Sequence, residues 1–556
     1  MESTWRAISW WLLGTMMSTT TQAGYFALNY TPTARCDLPI RPSTEIPPTN
    51  EKQYGRSRFT QPLDHARPDL GTFEVNYYWN RTHWAGPGSP IVVFLPGETH
   101  ADRHLVHSRP DFSLVGVLAE HLGAAVLVPE HRYYGGSSPF SHLTTSNLTY
   151  LTVENALLDV VRLAKRFSPP WTNATVGSTA RDVPWILVGG SYSAAQTAWI
   201  ANIHGGTYWA YLALSPIVQS ITSYWQYYLP QVEYGRGLCT ALLDSVIGFI
   251  DDVFGTGRET QIRAIKTMFG LDGMDDDSFL FHITSPILFW SEQDVGRPSR
   301  HYDWLCNRVQ GTHASALNLI PPDILALLKS SDDDDDNVRK RGDWSSENLR
   351  TLKALYSYSE GFRQEIAPML CSGAYCVNET DPLDPRYSEL SVQNRINRQY
   401  AWLQCNDLVG GYIVGAPPRE LSLVSRLTTA DFFARQCALF FPPGSHGETY
   451  GANRGRTAAI LNAYTGGWSP TRARRIIYSS GSRDVWREMG VTARLRPGGP
   501  MQSDPQKEIV VHVVETGFHH SELSSRNAEL YEEVRRVRDL EVEQVCRWVQ
   551  QWPGYL

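Results

Sequence analysis

Apolar and polar positions along the chain fall into two rhythms. From Thr72 to Trp79 (TFEVNYYW) they alternate in a β-rich stretch, and Pro90 to Phe94 (PIVVF) is a continuous apolar run ended by Pro96-Gly97. Ala124 to Pro129 (AAVLVP) and Pro184 to Val188 (PWILV) have the same length and character. Alternation marks a half-buried strand, whereas short apolar runs bounded by turn residues mark strands covered on both faces. Thr152 to Phe167 instead carries Val153, Ala156, Leu157, Val160, Val161 and Ala164 at helical spacing, with Thr152 and Asn155 placed to cap its start. A further helix is expected from Ser193 to Ile203. Strands alternating with helices predict a mostly parallel sheet covered by helices.

After about Tyr224 the rhythm changes. Residues 224–465 are richer in helical patterning, cysteine and long polar loops. Strand character returns at Arg475 to Ser479 (RIIYS) and Ile509 to Val514 (IVVHVV). A last helix is expected over Ala528 to Gln551, with apolar positions at Leu530, Val534, Val537, Leu540, Val545 and Trp548. A sheet that starts, pauses and resumes predicts one domain in two parts, residues 24–223 and 466–556, split by a helical insertion over 224–465. The 556 residues exceed the roughly 50–250 of one compact unit, which fits that division. Within the insertion, Asp332 to Asp336 followed by Arg339-Lys340-Arg341 reads as a solvated loop, with a basic processing site as the functional alternative. A calcium loop would need spaced ligands and a mid-loop glycine that this run lacks.

Composition narrows the class. Charged residues are 19% of the chain, below the roughly 25% of soluble proteins, and aromatics reach 12%, so global disorder is excluded. A net charge of −7 argues against a nucleic-acid-binding surface. No internal stretch approaches the roughly 20 apolar residues of a membrane span, so no stable membrane insertion is expected. Ala7 to Met17 (AISWWLLGTMM), preceded by Arg6 and followed by a polar stretch ending at Ala23, reads as a signal peptide over residues 1–23. Five Asn-x-Ser/Thr sequons, at Asn29, Asn80, Asn147, Asn173 and Asn378, are glycosylation candidates in that compartment. Eight cysteines (Cys36, Cys239, Cys306, Cys371, Cys376, Cys405, Cys437 and Cys546) lack Cys-x-x-Cys pairs and read as disulfides rather than zinc ligands. Seven lie after residue 230, so the bridges are expected to staple the second half. The address is secreted or lysosomal/vacuolar, with extracellular favoured.

The chemistry-bearing signal is Gly189-Gly190-Ser191-Tyr192-Ser193-Ala194, between the PWILV strand and a helix. A serine on such a turn sits in strained backbone with its hydroxyl raised above the sheet edge, and small neighbours let strand and helix approach. Ser193 stands where the G-x-S-x-G pattern has its last glycine. A hydroxyl needs a base to take its proton and a third group to orient the base, supplied in the order Ser, Asp/Glu, His after later strands. Asp484 follows RIIYS in SGSRDVW, and His519-His520 follow IVVHVV. Ser191, Asp484 and one of the two histidines therefore form the candidate triad. The backbone N–H of Tyr192 is one candidate oxyanion donor. Gly97, in Leu95-Pro96-Gly97-Glu98, is the other, or an ordinary turn glycine. Glu98, Trp225 and Trp486 are candidate pocket residues, Tyr192 a further aromatic wall, and each ring reads equally as plain core. Glu130, His131 and Arg132 read as a charge network that supports the site or simply holds the fold. No metal or cofactor is implied.

With these residues placed, the chain resembles the prolyl carboxypeptidase/dipeptidyl peptidase II family of serine peptidases. The resemblance is carried by FTQPLDH (Phe59 to His65), LPGE (Leu95 to Glu98), PEHRYYGGSSPF (Pro129 to Phe140), LTVENALLD (Leu151 to Asp159), GGSYSAAQTAW (Gly189 to Trp199), SGSRDVW and GFHHSEL (Gly517 to Leu523). The stretch YWAYLALSPIVQSITSYWQY (Tyr208 to Tyr227) looks most like the fungal proline-specific endopeptidases. The resemblance implies an α/β-hydrolase fold with a large, mostly helical, disulfide-bearing insertion that roofs the active site. It also implies cleavage of peptide or protein substrates after proline, often at acid pH. It assigns Ser191 as nucleophile, Asp484 as triad acid and His519 as base. Ala194, Val485 and Glu522 depart from the glycine, proline and aspartate usual at those positions, and none removes a reacting atom. An esterase or lipase on the same scaffold, or an inert secreted binding protein, are the alternatives. Endo- or exopeptidase mode, pH optimum and oligomeric state stay open.

Overall fold

The computed structural model describes residues 52–171, 177–310, 346–372 and 375–555, with Cys36, Leu38 and Pro322. The expected signal peptide, Asn29, Asn173, and both the acidic run and the basic triplet lie outside the described residues.

Eight strands form the main sheet: β1 (Tyr54–Pro62), β2 (Thr72–Asn80), β3 (Ile91–Leu95), β4 (Ala125–Pro129), β5 (Trp185–Gly190), β6 (Ala210–Leu214), β9 (Ile476–Gly481) and β10 (Ile509–Val514). A small hairpin, β7 (Cys371–Ser372) with β8 (Tyr375–Cys376), lies apart from it. The sheet order is β1-β2-β4-β3-β5-β6-β9-β10. Only β2 runs against the rest, pairing antiparallel with β1 and β4, while the pairs from β4 to β10 are parallel. This order, with one antiparallel second strand, is the α/β-hydrolase fold.

Central strands β3 to β6 and β9 are buried along their whole length, which is why β3, β4 and the start of β5 read as apolar runs. Their alternate residues feed two cores. Val92, Phe94, Ile186, Val188 and Leu212 face the helices Leu114–Leu122 and Glu532–Gln550. Ile91, Val93, Trp185, Leu187 and Tyr211 face the helices Val153–Arg166 and Tyr192–Ile203. Thr152 Oγ1 accepts the Asn155 N–H at 3.1 Å, the expected cap. Asn155 Oδ1 instead accepts the His65 N–H at 3.0 Å, so the reciprocal half of a capping box is spent on tertiary structure.

Three expectations change. Strands β1 and β6 were not marked by the periodicity. The last helix breaks at Tyr531 into Ser525–Leu530 and Glu532–Gln550, and Leu530 and Leu540 are exposed while Val534, Val537, Val545 and Trp548 are buried. The disulfides do not all staple the second half. Cys239–Cys306, Cys371–Cys376 and Cys405–Cys437 lie between β6 and β9, whereas Cys36–Cys546 ties the N-terminal part to the last helix. Between β6 and β9 the described residues are mostly helical, including Gly237–Gly255, Glu259–Phe269, Arg300–Gln310, Ser346–Glu365 and Ala430–Phe440.

Candidate active site

The carboxyl ends of β3, β5, β9 and β10 converge on one edge of the sheet, the place where loops of a parallel sheet meet ligands. Ser191 follows β5 directly and adopts φ 60°, ψ −124°, a strained geometry for a residue with a side chain. Its neighbours make that turn possible. A Cβ on Gly189 would come within 2.2 Å of the Ser193 carbonyl oxygen. Ser193 Oγ accepts the Gly190 N–H at 3.0 Å and donates to the Gly190 carbonyl at 2.8 Å. The serine in place of the usual glycine thus closes the elbow.

Asp484 and the two histidines come together on stitched loops. A Cβ on Gly481 would meet the Phe518 carbonyl oxygen at 2.2 Å, so the loops after β9 and β10 touch backbone to backbone. The Ser482 N–H donates to the Val514 carbonyl (3.0 Å) and the Arg483 N–H to the Gly517 carbonyl (2.9 Å). His519 Nδ1 lies 2.8 Å from Asp484 Oδ2, and Asp484 Oδ1 accepts the Trp486 N–H at 2.8 Å. Burial opposes the Asp484 charge, but the charge and hydrogen bond of His519 outweigh it and hold the carboxyl below its ordinary value. Burial likewise opposes an imidazolium at His519, and Asp484 reverses it, lifting His519 above 6.5. His520 has no such partner. Its N–H donates to Ser215 Oγ (2.9 Å), and burial with the neighbouring His519 charge pushes its imidazole down to about 3.

Ser191 opens onto a cleft of ≈ 790 Å³, counting the part open to solvent. The sheet supplies Glu98, Trp486 and Met489, and the segment between β6 and β9 supplies Tyr400, Gln404, Tyr412 and Phe433. Gln404 begins a π-helical turn, Gln404–Leu408, a geometry frequent at functional sites. Gly97 has φ +78°, and a Cβ there would face Ser193 at 3.8 Å. Glu98 is buried, and burial pushes its carboxyl up to about 7 against the pull of its own N–H and of His519. Trp486 stacks on Tyr224 (5.4 Å, 5°) and meets Tyr227 edge-on at 5.2 Å, so its plane is held. Trp225 is not among the cleft-lining residues. It packs instead against the cluster of Phe281, Tyr412, Val414, Phe432 and Phe433. The Tyr192 ring is also core, edge-on to Trp199 and Tyr400, while its N–H opens the helix after Ser191.

Behind the site, Glu130 accepts from Asn76 Nδ2, Gly136 N–H, Ser137 Oγ and Ala101 N–H. Arg132 forks onto Asp159 (2.7 and 2.8 Å), which also meets His65 Nε2 at 2.8 Å. His131 Nε2 lies 3.4 Å from the Tyr192 hydroxyl. These charges brace the loops without entering the cleft. Of the described sequons, Asn80 donates to Ser108 Oγ (2.7 Å) and Asn147 to the His142 carbonyl (2.8 Å), while Asn378 Oδ1 accepts the Asp275 N–H (3.1 Å). Among the described residues no helix is long and apolar enough to cross a membrane.

The class defined by this sheet order, with a serine on the elbow after β5, is an α/β-hydrolase. The family described as "Serine carboxypeptidase S28" matches residues 61–245. The chain is similar to "Serine protease vicPa" of Bipolaris victoriae (strain FI3), at 33% identity over 524 residues, 92% of each chain. It is also similar to "Probable extracellular serine carboxypeptidase" of Arthroderma benhamiae (24% over 498 residues, 86% of this chain and 64% of that one). The mouse "Lysosomal Pro-X carboxypeptidase" matches over a shorter span (30% over 156 residues, 27% and 30%). The chain belongs to the S28 family of serine peptidases and is a serine-type peptide hydrolase.

Proposed function

We propose that the chain is a secreted or lysosomal/vacuolar peptidase that cleaves after proline through Ser191, His519 and Asp484. The observation that carries this reading is the 2.8 Å contact between His519 and Asp484 on the loops after β9 and β10, at the sheet edge where Ser191 stands on its elbow. Ser191 Oγ attacks the scissile carbonyl while His519 Nε2 takes its proton, and Asp484 holds the Nδ1 tautomer and the imidazolium that forms. The N–H groups of Tyr192 and Gly97 receive the oxyanion. The tetrahedral intermediate expels the amine with the proton from His519, leaving an acyl-enzyme. Water, deprotonated by the same imidazole, then releases the acid.

Proline preference is supported by the fixed Trp486 plane beside Ser191 in the cleft. A proline ring needs a short aromatic-walled slot, and its tertiary amide offers no N–H to bind. Residues 224–465 act in this reading as a lid, since Tyr400, Gln404, Tyr412 and Phe433 close the cleft from their side. The test is fluorophosphonate labelling of the wild type and Ser191→Ala, with blocked and free proline peptides as substrates. Labelling is expected at Ser191 alone. Undiminished labelling of Ser191→Ala overturns the mechanism, and equal cleavage of alanine peptides overturns the proline preference. Cleavage of a doubly blocked peptide identifies an endopeptidase, and dependence on one free terminus an exopeptidase.

A further inference from the structure

A pair of acids, one of which faces Asp484 and His519, is not used by the reaction as drawn. Glu522 sits in the turn Ser521–Leu523 directly after the two histidines, and Glu541 on the helix Glu532–Gln550. Both side chains are fully buried, and none of their four carboxyl oxygens has a hydrogen-bond partner. The same two elements contribute Leu523, Val542 and Val545 to an apolar cluster with Ile477 of β9. The Ser479 hydroxyl on β9 interacts with both carboxyls and the Glu522 N–H with its own, but neither donor reaches full hydrogen-bond geometry. The charged groups facing Glu522 are Asp484 and His519, from the loops after β9 and β10. Those facing Glu541 are Glu522 and, on its own helix, Arg538, whose guanidinium is paired with Asp539 at 3.0 Å. The helix Leu114–Leu122, packed against the last helix, contributes Leu114, Val115 and Leu118 to the same apolar cluster.

Two carboxylates cannot both ionise in such a place, because desolvation and mutual repulsion act together. One proton held between them removes a charge and supplies a donor to oxygens that otherwise have none. We propose that Glu522 and Glu541 form a proton-sharing pair that positions the His519–His520 turn, keeping the catalytic geometry in acid and releasing it reversibly when the pair ionises.

Burial is the first cause that raises both carboxyls above the ordinary 4.5, with Asp484 adding at Glu522 and the Glu522 charge adding at Glu541. Above about pH 4.5 the folded state therefore holds more protons than the unfolded one. Its stability is full below that value and falls as pH rises through the folded values. The triad alone works in the opposite direction, since a neutral His519 base becomes more available as pH rises. Only the activity arm of the test rests on the triad proposed above.

The test uses the full-length enzyme and the variants Glu541→Gln and Glu522→Gln. Infrared difference spectroscopy of the wild type at about pH 7 is expected to show a protonated, buried carboxyl absorption that each variant loses. Thermal midpoints between about pH 4 and 8 are expected to fall in the wild type and to flatten in Glu541→Gln, which gains about 2–4 °C over wild type at the alkaline end. The alkaline limb of kcat/KM shifts to higher pH in the same variant. A wild-type spectrum without that absorption, or an unchanged slope of the midpoints, overturns the shared proton, and the spectrum decides even if a variant does not fold. An unchanged alkaline limb with the other two results as expected overturns the positioning role. Failure of the Ser191 mechanism would leave the spectrum and the midpoints untouched.

Discussion

The eight-stranded sheet and the segment between β6 and β9 hold themselves together by different means. Five strands of the sheet are buried end to end, and its site depends on backbone, with Ser191 at φ 60° and loop glycines that leave no room for a side chain. Both regions bury ion pairs, Arg132–Asp159 beside the sheet among them, but the segment between β6 and β9 adds cross-links. It contains three of the four disulfides, and Arg386 is buried between Glu379 (2.5 Å) and Asp384 (2.9 Å). The remaining bridge, Cys36–Cys546, ties the N-terminal part to the last helix and touches no strand. In the proposed reading the same contrast divides chemistry from selectivity: Ser191, His519 and Asp484 follow strands of the sheet, and much of the facing cleft wall lies between β6 and β9.

Four sets of substitutions separate the two regions, from the largest effect to the smallest. Asp484→Asn is expected to lower kcat about 10,000-fold through the wrong imidazole tautomer while circular dichroism and the thermal midpoint stay near wild type. A small loss of kcat would mean that the sheet-edge pair is structural. Arg386→Ala strands the buried Glu379 carboxylate and is expected to cost about 3–5 kcal/mol, read by denaturant unfolding. Hydrogen exchange is expected to rise between β6 and β9 and not in β3 or β5. Uniform exchange would erase the distinction between the regions. Replacing Cys239 and Cys306 by serine opens a loop of separation 67 and is expected to cost about 4 kcal/mol, against about 2 kcal/mol for Cys371 and Cys376 at separation 5. Equal costs would show that loop closure is not what those bridges contribute. Trp486→Ala is expected to lower kcat/KM on proline peptides about 10- to 100-fold. Trp225→Ala, outside the cleft lining, should lose less, and the reverse order would move the proline slot onto the other wall.

The sheet and the chemistry were legible because each leaves a local mark. A strand buried on both faces must be apolar throughout, as β3, β4 and β5 are, and a strained serine turn demands small neighbours such as Gly189 and Ser193. Strand β1 escaped because, at the sheet edge, it mixes arginine and serine with two aromatics, Tyr54 and Phe59. Strand β6 escaped because AYLAL is as compatible with a helix as with a strand. Tyr400, Gln404, Tyr412 and Phe433 carry no motif, since what makes them cleft residues is how a distant segment folds back. The Gly410-Gly411 pair beside Tyr412 is the single local hint, and Gly411 has φ +79°. Trp225 and Trp486 have equal chemistry in the sequence, and only packing sends one ring into a core and the other to the cleft. The pairing of Cys36 with Cys546 had no local sign at all, because parity forces a partner without saying which.

That last bridge makes the polypeptide very nearly a ring. With its two cysteines at a sequence separation of 510, a single peptide-bond cut anywhere between them leaves both fragments on one covalent molecule. Clipping at a basic site such as Arg339-Lys340-Arg341 would therefore pass unnoticed on a non-reducing gel and yield two bands once the sample is reduced. A two-chained form of the enzyme would still migrate, before reduction, as one.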